Sequence, residues 1–499
     1  MGSANAALRI GWASVDVTPE RPVLVRGQFY ARVSEGVADP LTVTALAIES
    51  VQDGVPGGHV VLVGCDYVRV PECLRDSLRQ QVSERAPEID RAGIILNATH
   101  THTGPQLRTP GEADKDTAGN LGRDVGVDFG TQIMDPTEYT AWATERIAGA
   151  VVEAWEKREP GGIGFGLGFA TVGYNRRICY YTGESRMYGN PDDPEFSHIE
   201  GGADPSVGVL STWSSAGDLT GLAVNVACPS QVSESDFVIS ADYWHETRAE
   251  LRRRFGEGLF VLPQCAAAGD QAPPKPSITI GWRAQQRMWD LQGRTEREDI
   301  GIRISDAVEG ILPAMESDIR WAPTFDHHSE TVRLLRRRIT QEDVDAALVD
   351  AEDYRKQHEA IAADLEAHPE KRQERRWYVD LTRAYRRWKW NEAVAKRFAL
   401  QDSDPEVDVE LHVVRLGDVA IATNPFEYYL DFGLQIKARS KALQTFVVQL
   451  TGEGAYVPTV RGASGGSYGA VAASTPVGPE GGRQLVDRTV ATIARMWEE

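Results

Sequence analysis

The sequence has few of the residues that would indicate a disulfide framework or a membrane segment. Only five of its 499 residues are cysteine, and no two of them form a CxxC pair. This sparse, odd-numbered set argues against a disulfide framework and against a zinc ribbon. No run approaches about 18 consecutive apolar residues, so we expect no membrane-spanning helix.

The N-terminal residues also lack the cationic start and long apolar run of a signal peptide, which leads us to expect a cytoplasmic protein. The net charge of −20 makes the phosphate backbone of a nucleic acid an unfavourable partner. We therefore expect a small-molecule substrate, no nucleic acid and no membrane insertion. A homo-oligomer is compatible with the sequence, which gives no further information about assembly.

Apolar runs rich in Val, Ile and Leu alternate with segments of helical periodicity. Strands are predicted at 41–50, 59–68, 92–98, 161–174, 207–213, 219–228, 409–423 and 445–451. Helices are predicted at 71–86, 136–158, 241–255, 281–317 and 427–441, and another closes the chain. Loops are predicted at 104–135 and 462–482.

This alternation predicts an α/β protein with mixed β-sheets flanked by helices. One large catalytic domain is expected to occupy residues 1–499. Segment 341–400 is dense in Glu, Arg, Lys and Ala, and it predicts a helical insertion broken near Pro369.

The stretch LNATHTHTGP, residues 96–105, contains two of the ten histidines of the chain. Residues two apart on an extended chain point to the same side, so His100 and His102 are expected to face one site. Loops at strand ends are where α/β enzymes usually place their chemistry. Because imidazole is both a common metal ligand and an acid–base group, the pair indicates a metal or catalytic site. The alternative is a pair of polar loop residues.

The same stretch resembles the histidine motif of the neutral/alkaline ceramidase superfamily. Further motifs that resemble this family follow in the same order: YNRR (174–177), GGADPSVGVLSTW (201–213), LAVNVACPSQ (222–231), ISADY (239–243), AAAGDQAP (266–273), NPFEYYLDFGLQIK (424–437) and GAYVPT (454–459). The resemblance spans nearly the whole chain. It implies the catalytic domain of a zinc-dependent hydrolase that cleaves an amide (N-acyl) bond.

The resemblance also implies a zinc ion bound by two His, one Glu and one Tyr. Carried over to this sequence, His100 is the first ligand, Glu427 of NPFE supplies the carboxylate and Tyr456 of GAYVPT supplies the phenolate. Each has an alternative role. Asn424 and Glu427 fit the N-cap and third positions of a helix start, which would make Glu427 a capping partner. Tyr456 could equally be an ordinary half-buried strand tyrosine.

The resemblance gives three further residues a role next to the metal. His102 is implied to polarise or protonate the substrate, and Arg176 and Tyr468 match groups that line the substrate pocket. We expect Arg176 to be both catalytic and substrate-binding. The alternatives are a surface ion pair for Arg176 and a loop anchor for Tyr468.

The first departure from the family concerns the second histidine ligand, which falls where this chain reads NVACPSQ. Cys228 lies at or next to that position, and thiolate is a good zinc ligand. The alternative is a buried residue at a strand end. His245 in ADYWHETR is another candidate for the missing ligand.

The second departure removes the nucleophile. Ceramidases carry a serine where this chain has Ala272, so metal-activated water is expected to attack instead. Asp270 or His102 would then manage protons, although Asp270 after Gly269 could equally be a turn residue. Ceramidases also carry an additional C-terminal β-rich domain, which we expect to be absent here.

Two other functions remain compatible with the sequence. Acidic segment 112–128 and the 12 tryptophans would suit a carbohydrate-active hydrolase or lyase that reuses the fold. The changes at Ala272 and Cys228 would suit a binding protein without turnover.

Overall fold

The computed structural model describes residues 6–108, 127, 129 and 132–498. Most of the predicted loop 104–135 and of the acidic segment 112–128 lies outside these residues. None of the helices within the described ranges has the length and apolar character needed to cross a bilayer.

The strands, in chain order, are β1 (Ala6–Asp16), β2 (Thr42–Gln52), β3 (Val55–Cys65), β4 (Ile94–Ala98), β5 (Glu159–Phe169), β6 (Tyr174–Asn175), β7 (Arg177–Tyr180), β8 (Ser185–Met187), β9 (Phe196–Ile199), β10 (Ser206–Ser214), β11 (Leu219–Val226), β12 (Phe260–Cys265), β13 (Gln271–Ala272), β14 (Phe325–Leu335), β15 (Glu406–Leu416), β16 (Val419–Thr423), β17 (Glu427–Tyr428), β18 (Gln444–Val448) and β19 (Tyr456–Val457).

The helices are α1 (Glu72–Arg85), α2 (Pro136–Glu156), α3 (Tyr243–Phe255), α4 (Trp282–Gln292), α5 (Glu296–Glu316), α6 (Gln341–Ala367), α7 (Tyr378–Leu400), α8 (Leu430–Arg439), α9 (Val460–Gly465) and α10 (Pro479–Glu498). Short 3-10 turns lie at Arg91–Gly93, Pro369–Gln373 and Ala472–Ser474.

Two large sheets form the centre of the molecule. The larger has the order β12-β11-β10-β5-β1-β2-β3-β4, with parallel pairs at both edges and antiparallel pairs between them. The smaller has the order β14-β15-β16-β18, and its last pair is parallel. The predicted α/β class with mixed sheets is confirmed.

The apolar core between the sheets explains why both form. Leu8, Ile10 and Trp12 alternate along β1 and are buried in one cluster with Ile421 of β16 and Phe446 of β18. Burying apolar side chains at every second position stabilises each strand by about 1.5–3 kcal/mol for each large residue. This interface holds the two sheets face to face.

Helices cover the outer faces of both sheets. The larger sheet packs against α1 and α2 on the β1–β4 half and against α3 and α5 on the β10–β12 half. The smaller sheet packs against α8 and α10. Each sheet therefore has one face against its partner sheet and one against helices.

The predicted helical segment 341–400 forms an antiparallel hairpin of α6 and α7. A 3-10 turn beginning at Pro369 separates the two helices, as the proline predicted. The hairpin packs against two loops of the main body through Val394 with Ala472 and through Tyr385 with Ala31. It is thereby fixed beside the site described below.

Two predicted elements are each split by a glycine. The predicted strand 409–423 is the hairpin β15–β16, which turns at Gly417 with φ +60°. The predicted helix 281–317 is α4 and α5, separated at Gly293 with φ +62°. Both glycines adopt the left-handed conformation that other residues rarely take, so the elements end there.

Candidate active site

The residues of the site follow the carboxyl ends of parallel strands in both sheets. Val68 follows β3, His100 follows β4 and Gln231 follows β11 in the larger sheet. Glu427 follows β16 and Tyr456 follows β18 in the smaller sheet. Parallel strands deliver their C-terminal loops to one edge, which is why residues more than 350 positions apart meet here.

These loops enclose a cavity of about 560 Å³, a volume that suits a small-molecule ligand. Five of the residues predicted from the sequence line it, namely His100, His102, Glu427, Tyr456 and Tyr468.

His100 is held with one ring nitrogen turned towards the other site residues. Its Nδ1 lies 2.7 Å from the carbonyl oxygen of Val68 and donates to it, because a carbonyl only accepts. Its Nε2 is 3.4 Å from Oε2 of Glu427 and 3.3 Å from Nε2 of His102. Burial would raise the pKa of Glu427, but His100 and Arg176 outweigh that effect and lower it. Glu427 is therefore a carboxylate.

His102 is oriented by a side-chain amide. The Nε2 of Gln231 lies 2.7 Å from His102 Nε2, and the Oε1 of Gln231 accepts from Arg176 at 3.1 Å. Because a guanidinium only donates, the amide must present its oxygen to Arg176 and its NH₂ to His102. Burial, and then the neighbouring His100 and Arg32, lower the pKa of His102 well below its usual value. His102 is therefore a neutral imidazole whose Nε2 accepts.

Glu427 and Tyr456 are neighbours through backbone pairing. They are directly opposite in the short parallel pair β17–β19, and the amide of Glu427 donates to Ala455 at 2.9 Å. The alternative role of Glu427 as a helix-capping partner is wrong, because α8 begins only at Leu430. Asn424 instead accepts from the amide of Phe426 at 3.1 Å.

Two solved structures share this architecture. The neutral ceramidase from Pseudomonas aeruginosa superposes with a TM-score of 0.65 and 16% sequence identity, over 98% of this chain and 75% of that one. A ceramidase complexed with C2 superposes with a TM-score of 0.65 and 14% identity, over 99% of this chain and 76% of that one. This chain has the neutral ceramidase fold. No family model matches the sequence, and no curated protein is significantly similar to it.

Within the ceramidase fold, Arg176 lies behind the cavity and is not one of its lining residues. It is 2% exposed, which rules out the alternative of a surface ion pair. Its Nη2 donates to the Tyr456 hydroxyl at 3.2 Å and to the Gly269 carbonyl at 2.9 Å. Burial alone would lower the pKa of Arg176, but the neighbouring Tyr456, Tyr188 and Glu427 outweigh burial and raise it. Arg176 thus contacts Tyr456 and Gln231 from behind the cavity wall.

Cys228 does not reach the histidines of this ceramidase fold. Val224, Val226 and Cys228 share one apolar cluster beneath α3 and α5, so Cys228 continues the helix-facing side of β11. Its thiol donates to the Val172 carbonyl at 3.3 Å, and burial raises its pKa well above the usual value. His245 lies on α3 and also does not line the cavity. The structure thus gives Cys228 the role of a buried strand-end residue.

Asp270 is likewise outside the cavity wall, contrary to the expected role in proton transfer. Its Oδ1 accepts from the Leu430 amide at 2.8 Å and its Oδ2 accepts from Asn175 at 2.7 Å. With both oxygens engaged, Asp270 fixes the start of α8 against the segment that carries Arg176. The chain turns at Gly269, where a Cβ would lie 2.2 Å from the Glu427 carbonyl oxygen, so Asp270 is directed behind the wall.

Three non-glycine residues of the cavity wall have positive φ angles. His100 has φ +66°, Leu450 has φ +61° and Ala455 has φ +141°. Such conformations cost about 1–3 kcal/mol each and concentrate at functional sites. Their clustering around one cavity supports a functional role for it.

Two residues of the site, Gln231 and the cavity-lining Trp390, were not anticipated from the sequence. Gln231 lies in the predicted motif LAVNVACPSQ but has no charge that would single it out. Tyr468 lies edge-on to Tyr456 at 5.4 Å and to Phe29 at 5.5 Å, with Trp390 at 5.9 Å, forming an aromatic cluster. The sequence pattern that could have indicated Trp390 is its helical spacing with Arg386 and Arg397 on one face of α7.

Proposed function

We propose that this protein is a zinc-dependent hydrolase that cleaves an amide bond in a small substrate. The observation that carries the proposal is the convergence of His100 Nε2, the Glu427 carboxylate and the Tyr456 hydroxyl in one cavity. The ceramidase fold supports it, since the Pseudomonas aeruginosa protein and the C2-bound structure are both ceramidases.

The donor set fits zinc chemically. Because His100 Nδ1 donates to Val68, its Nε2 is the ring atom that faces Glu427 Oε2 at 3.4 Å, and it would offer its lone pair to zinc. Two electron-rich atoms at this distance repel unless a cation or a proton lies between them. Zinc ligands with bonds of about 2.0–2.2 Å in a tetrahedral arrangement are about 3.4 Å apart. The backbone carbonyl behind the ring is the usual support for a metal-binding histidine.

The described acidic, cysteine and histidine side chains supply no alternative set of ligands. Among the described residues, no group of three or more His, Cys, Asp and Glu forms a metal-binding cluster by itself. The proposed set consists of His100 and Glu427 together with Tyr456, whose phenol oxygen is a donor outside these four residue types.

When bound there, zinc would polarise a substrate carbonyl and acidify water. His102 contributes the base. Its buried ring is neutral, and its Nε2 lone pair, which accepts a hydrogen bond from the Gln231 amide, can accept a proton instead. It can take a proton from the attacking water and give it to the leaving nitrogen. Arg176 holds the Tyr456 hydroxyl in place. Ala272 has no nucleophile and is fully buried, which leaves water as the attacking group.

Metal analysis tests the ligand set. We expect about one zinc per chain in the wild type, and loss of that zinc in His100→Ala and in Glu427→Gln. His245→Ala is the matched control, because this histidine does not line the cavity, and it should keep the metal. A folded wild-type protein without zinc, or full zinc in both ligand variants, contradicts the ligand set.

Substrate assays then test the reaction. The zinc-loaded protein should hydrolyse members of a set of N-acyl amino acids, and Gln231→Leu should slow that hydrolysis. Turnover of glycosides alone would replace the amidase by a carbohydrate-active enzyme. Binding of substrates without any turnover would make the protein a binding module.

A further inference from the structure

The described part of the cavity wall is rich in guanidinium groups. Its charged residues other than histidine are Arg26, Arg69, Arg386, Arg397, Glu427 and Glu453. Glu453 pairs with Arg69 at 2.8 Å, and Glu427 belongs to the proposed zinc site. Among the described residues of the wall, four arginines accompany two glutamates, although the whole chain carries a net charge of −20. Guanidinium groups in a cleft attract ligands of the opposite charge.

Two of these arginines belong to a single stripe of α7. The stripe consists of Arg386, Trp390, Ala393 and Arg397, which all line the cavity. Their spacing of three or four residues places them on one face of the helix. The Nη1 of Arg386 donates to the Gln28 carbonyl at 2.9 Å, which fixes that end of the stripe.

Arg397 donates to two backbone carbonyls beside the cavity. Its Nη1 donates to the Ala472 carbonyl at 2.8 Å and its Nη2 to the Thr475 carbonyl at 3.0 Å. In the described ranges no carboxylate forms an ion pair with it. Burial, then repulsion by Arg337 and Arg336, lowers the pKa of Arg397 to about 10, so it remains charged at neutral pH. A guanidinium has five N–H donors, and the two carbonyls leave some of these donors available to a ligand.

The aromatic cluster lies next to this stripe. Trp390 is itself a stripe residue, and its ring lies 5.2 Å from Phe29 and 5.9 Å from Tyr468. Both partners also line the cavity. The wall thus combines a cationic group with a flat apolar surface.

We propose that the substrate of this cavity carries an anionic oxygen group, a carboxylate or a phosphate, that binds the α7 stripe at Arg397 while its adjoining planar or apolar part packs on Trp390. This proposal rests on the proposed hydrolase function for the substrate, but the anion subsite itself is independent of turnover. Arginine recognises both oxyanions through paired N–H donors.

Calorimetric binding tests the subsite without any reaction. The probes are phenylacetate, phenyl phosphate and phenylacetamide, which share the ring and differ in charge. Wild-type protein should bind at least one of the anions about tenfold or more tightly than the neutral amide. The preferred anion shows whether a carboxylate or a phosphate is recognised. Arg397→Gln should abolish the preference, Arg397→Lys should keep part of it, and Lys396→Gln, an exposed neighbour, should leave it intact.

Anion binding at zinc is a separate outcome with its own control. His100→Ala should retain the preference, because the stripe and not the metal supplies it. Loss of the preference in His100→Ala with its retention in Arg397→Gln overturns the subsite. Equal binding of all three probes, or binding of none, also overturns it.

A matched pair of substrates separates the two proposals. N-acetylphenylalanine should be hydrolysed about tenfold or more faster, in kcat/KM, than N-acetylphenylalaninamide, and only Arg397→Gln should remove the difference. Hydrolysis of both at equal rates refutes the subsite and leaves the hydrolase. Anion binding that depends on Arg397, without hydrolysis of either compound, refutes the hydrolase and leaves the subsite.

Discussion

Gly27 is a position where one methyl group should disturb the site directly. Its φ is +119°, and a Cβ built there would lie 2.6 Å from Cγ and 2.8 Å from Nδ1 of His102. Gly27→Ala therefore adds two costs. Backbone strain contributes about 1–3 kcal/mol, and overpacking against the ring contributes about another 1–3 kcal/mol. The ring must move by about 1 Å to reach normal contact distance, which would break its hydrogen bond to Gln231.

Gly183 provides the control, because its φ is +90° but nothing lies within 4 Å of a Cβ there. In denaturant titration, Gly183→Ala should lower the free energy of unfolding only by the cost of backbone strain, about 1–3 kcal/mol. Gly27→Ala should lose about 2–6 kcal/mol, and its amide hydrolysis should fall about a hundredfold from the displaced imidazole. Equal destabilisation of the two variants, with unchanged hydrolysis in both, would refute the placement of His102 against Gly27.

Three further predictions concern other buried groups. Gln231→Leu should cost about 1–3 kcal/mol of unfolding free energy in denaturant titration, because it leaves an Arg176 donor unpaired, and an unchanged value would contradict that pairing. Asp66→Asn should cost about 3–5 kcal/mol by the same measurement, because it leaves the guanidinium of Arg248, now 2.7 Å from the carboxylate, buried without a counter-charge. Burial and the nearby His412 lower the pKa of His327 to about 4. His327 is therefore neutral when folded, and its protonation in the unfolded state should reduce stability by about 2–3 kcal/mol as the pH falls from 7 to 4. His327→Gln should flatten that part of the stability–pH curve, and an unaltered slope would show that another group is responsible.

The sequence predicted the residues of the site whose chemistry and position both stand out. His100 and His102 follow a buried strand, and Glu427 and Tyr456 lie in motifs that the family resemblance marked. Their meeting depends on the two-residue pair β17–β19, which no local pattern predicts, because its pairing joins segments about 30 residues apart. The same lack of local signal hid the fact that NPFE precedes the helix instead of starting it.

The errors have identifiable physical causes. The family resemblance places Cys228 at or next to a ligand position, but strand alternation after Val226 turns its thiol towards the core. Strand β14, with the polar sequence FDHHSETVRLL, was missed because its pairing with β15 and not an apolar run defines it. The stripe on α7 was hidden because a charged helical face is usually solvated, and only the packing of the hairpin turns this one inward.

The direct backbone pairing of Glu427 with Tyr456 has a consequence for how such a site can change over time. The spacing of the two donors is set by one rung of a ladder, and the 28 residues between them, including α8 and β18, have no part in setting it. Insertions or deletions in that intervening chain can therefore be absorbed without retuning the chemistry. A slip of either strand by a single residue would instead turn that strand's side chain away from the cavity. The spacing of these two side chains is thus tolerant of changes in length and intolerant of changes in register.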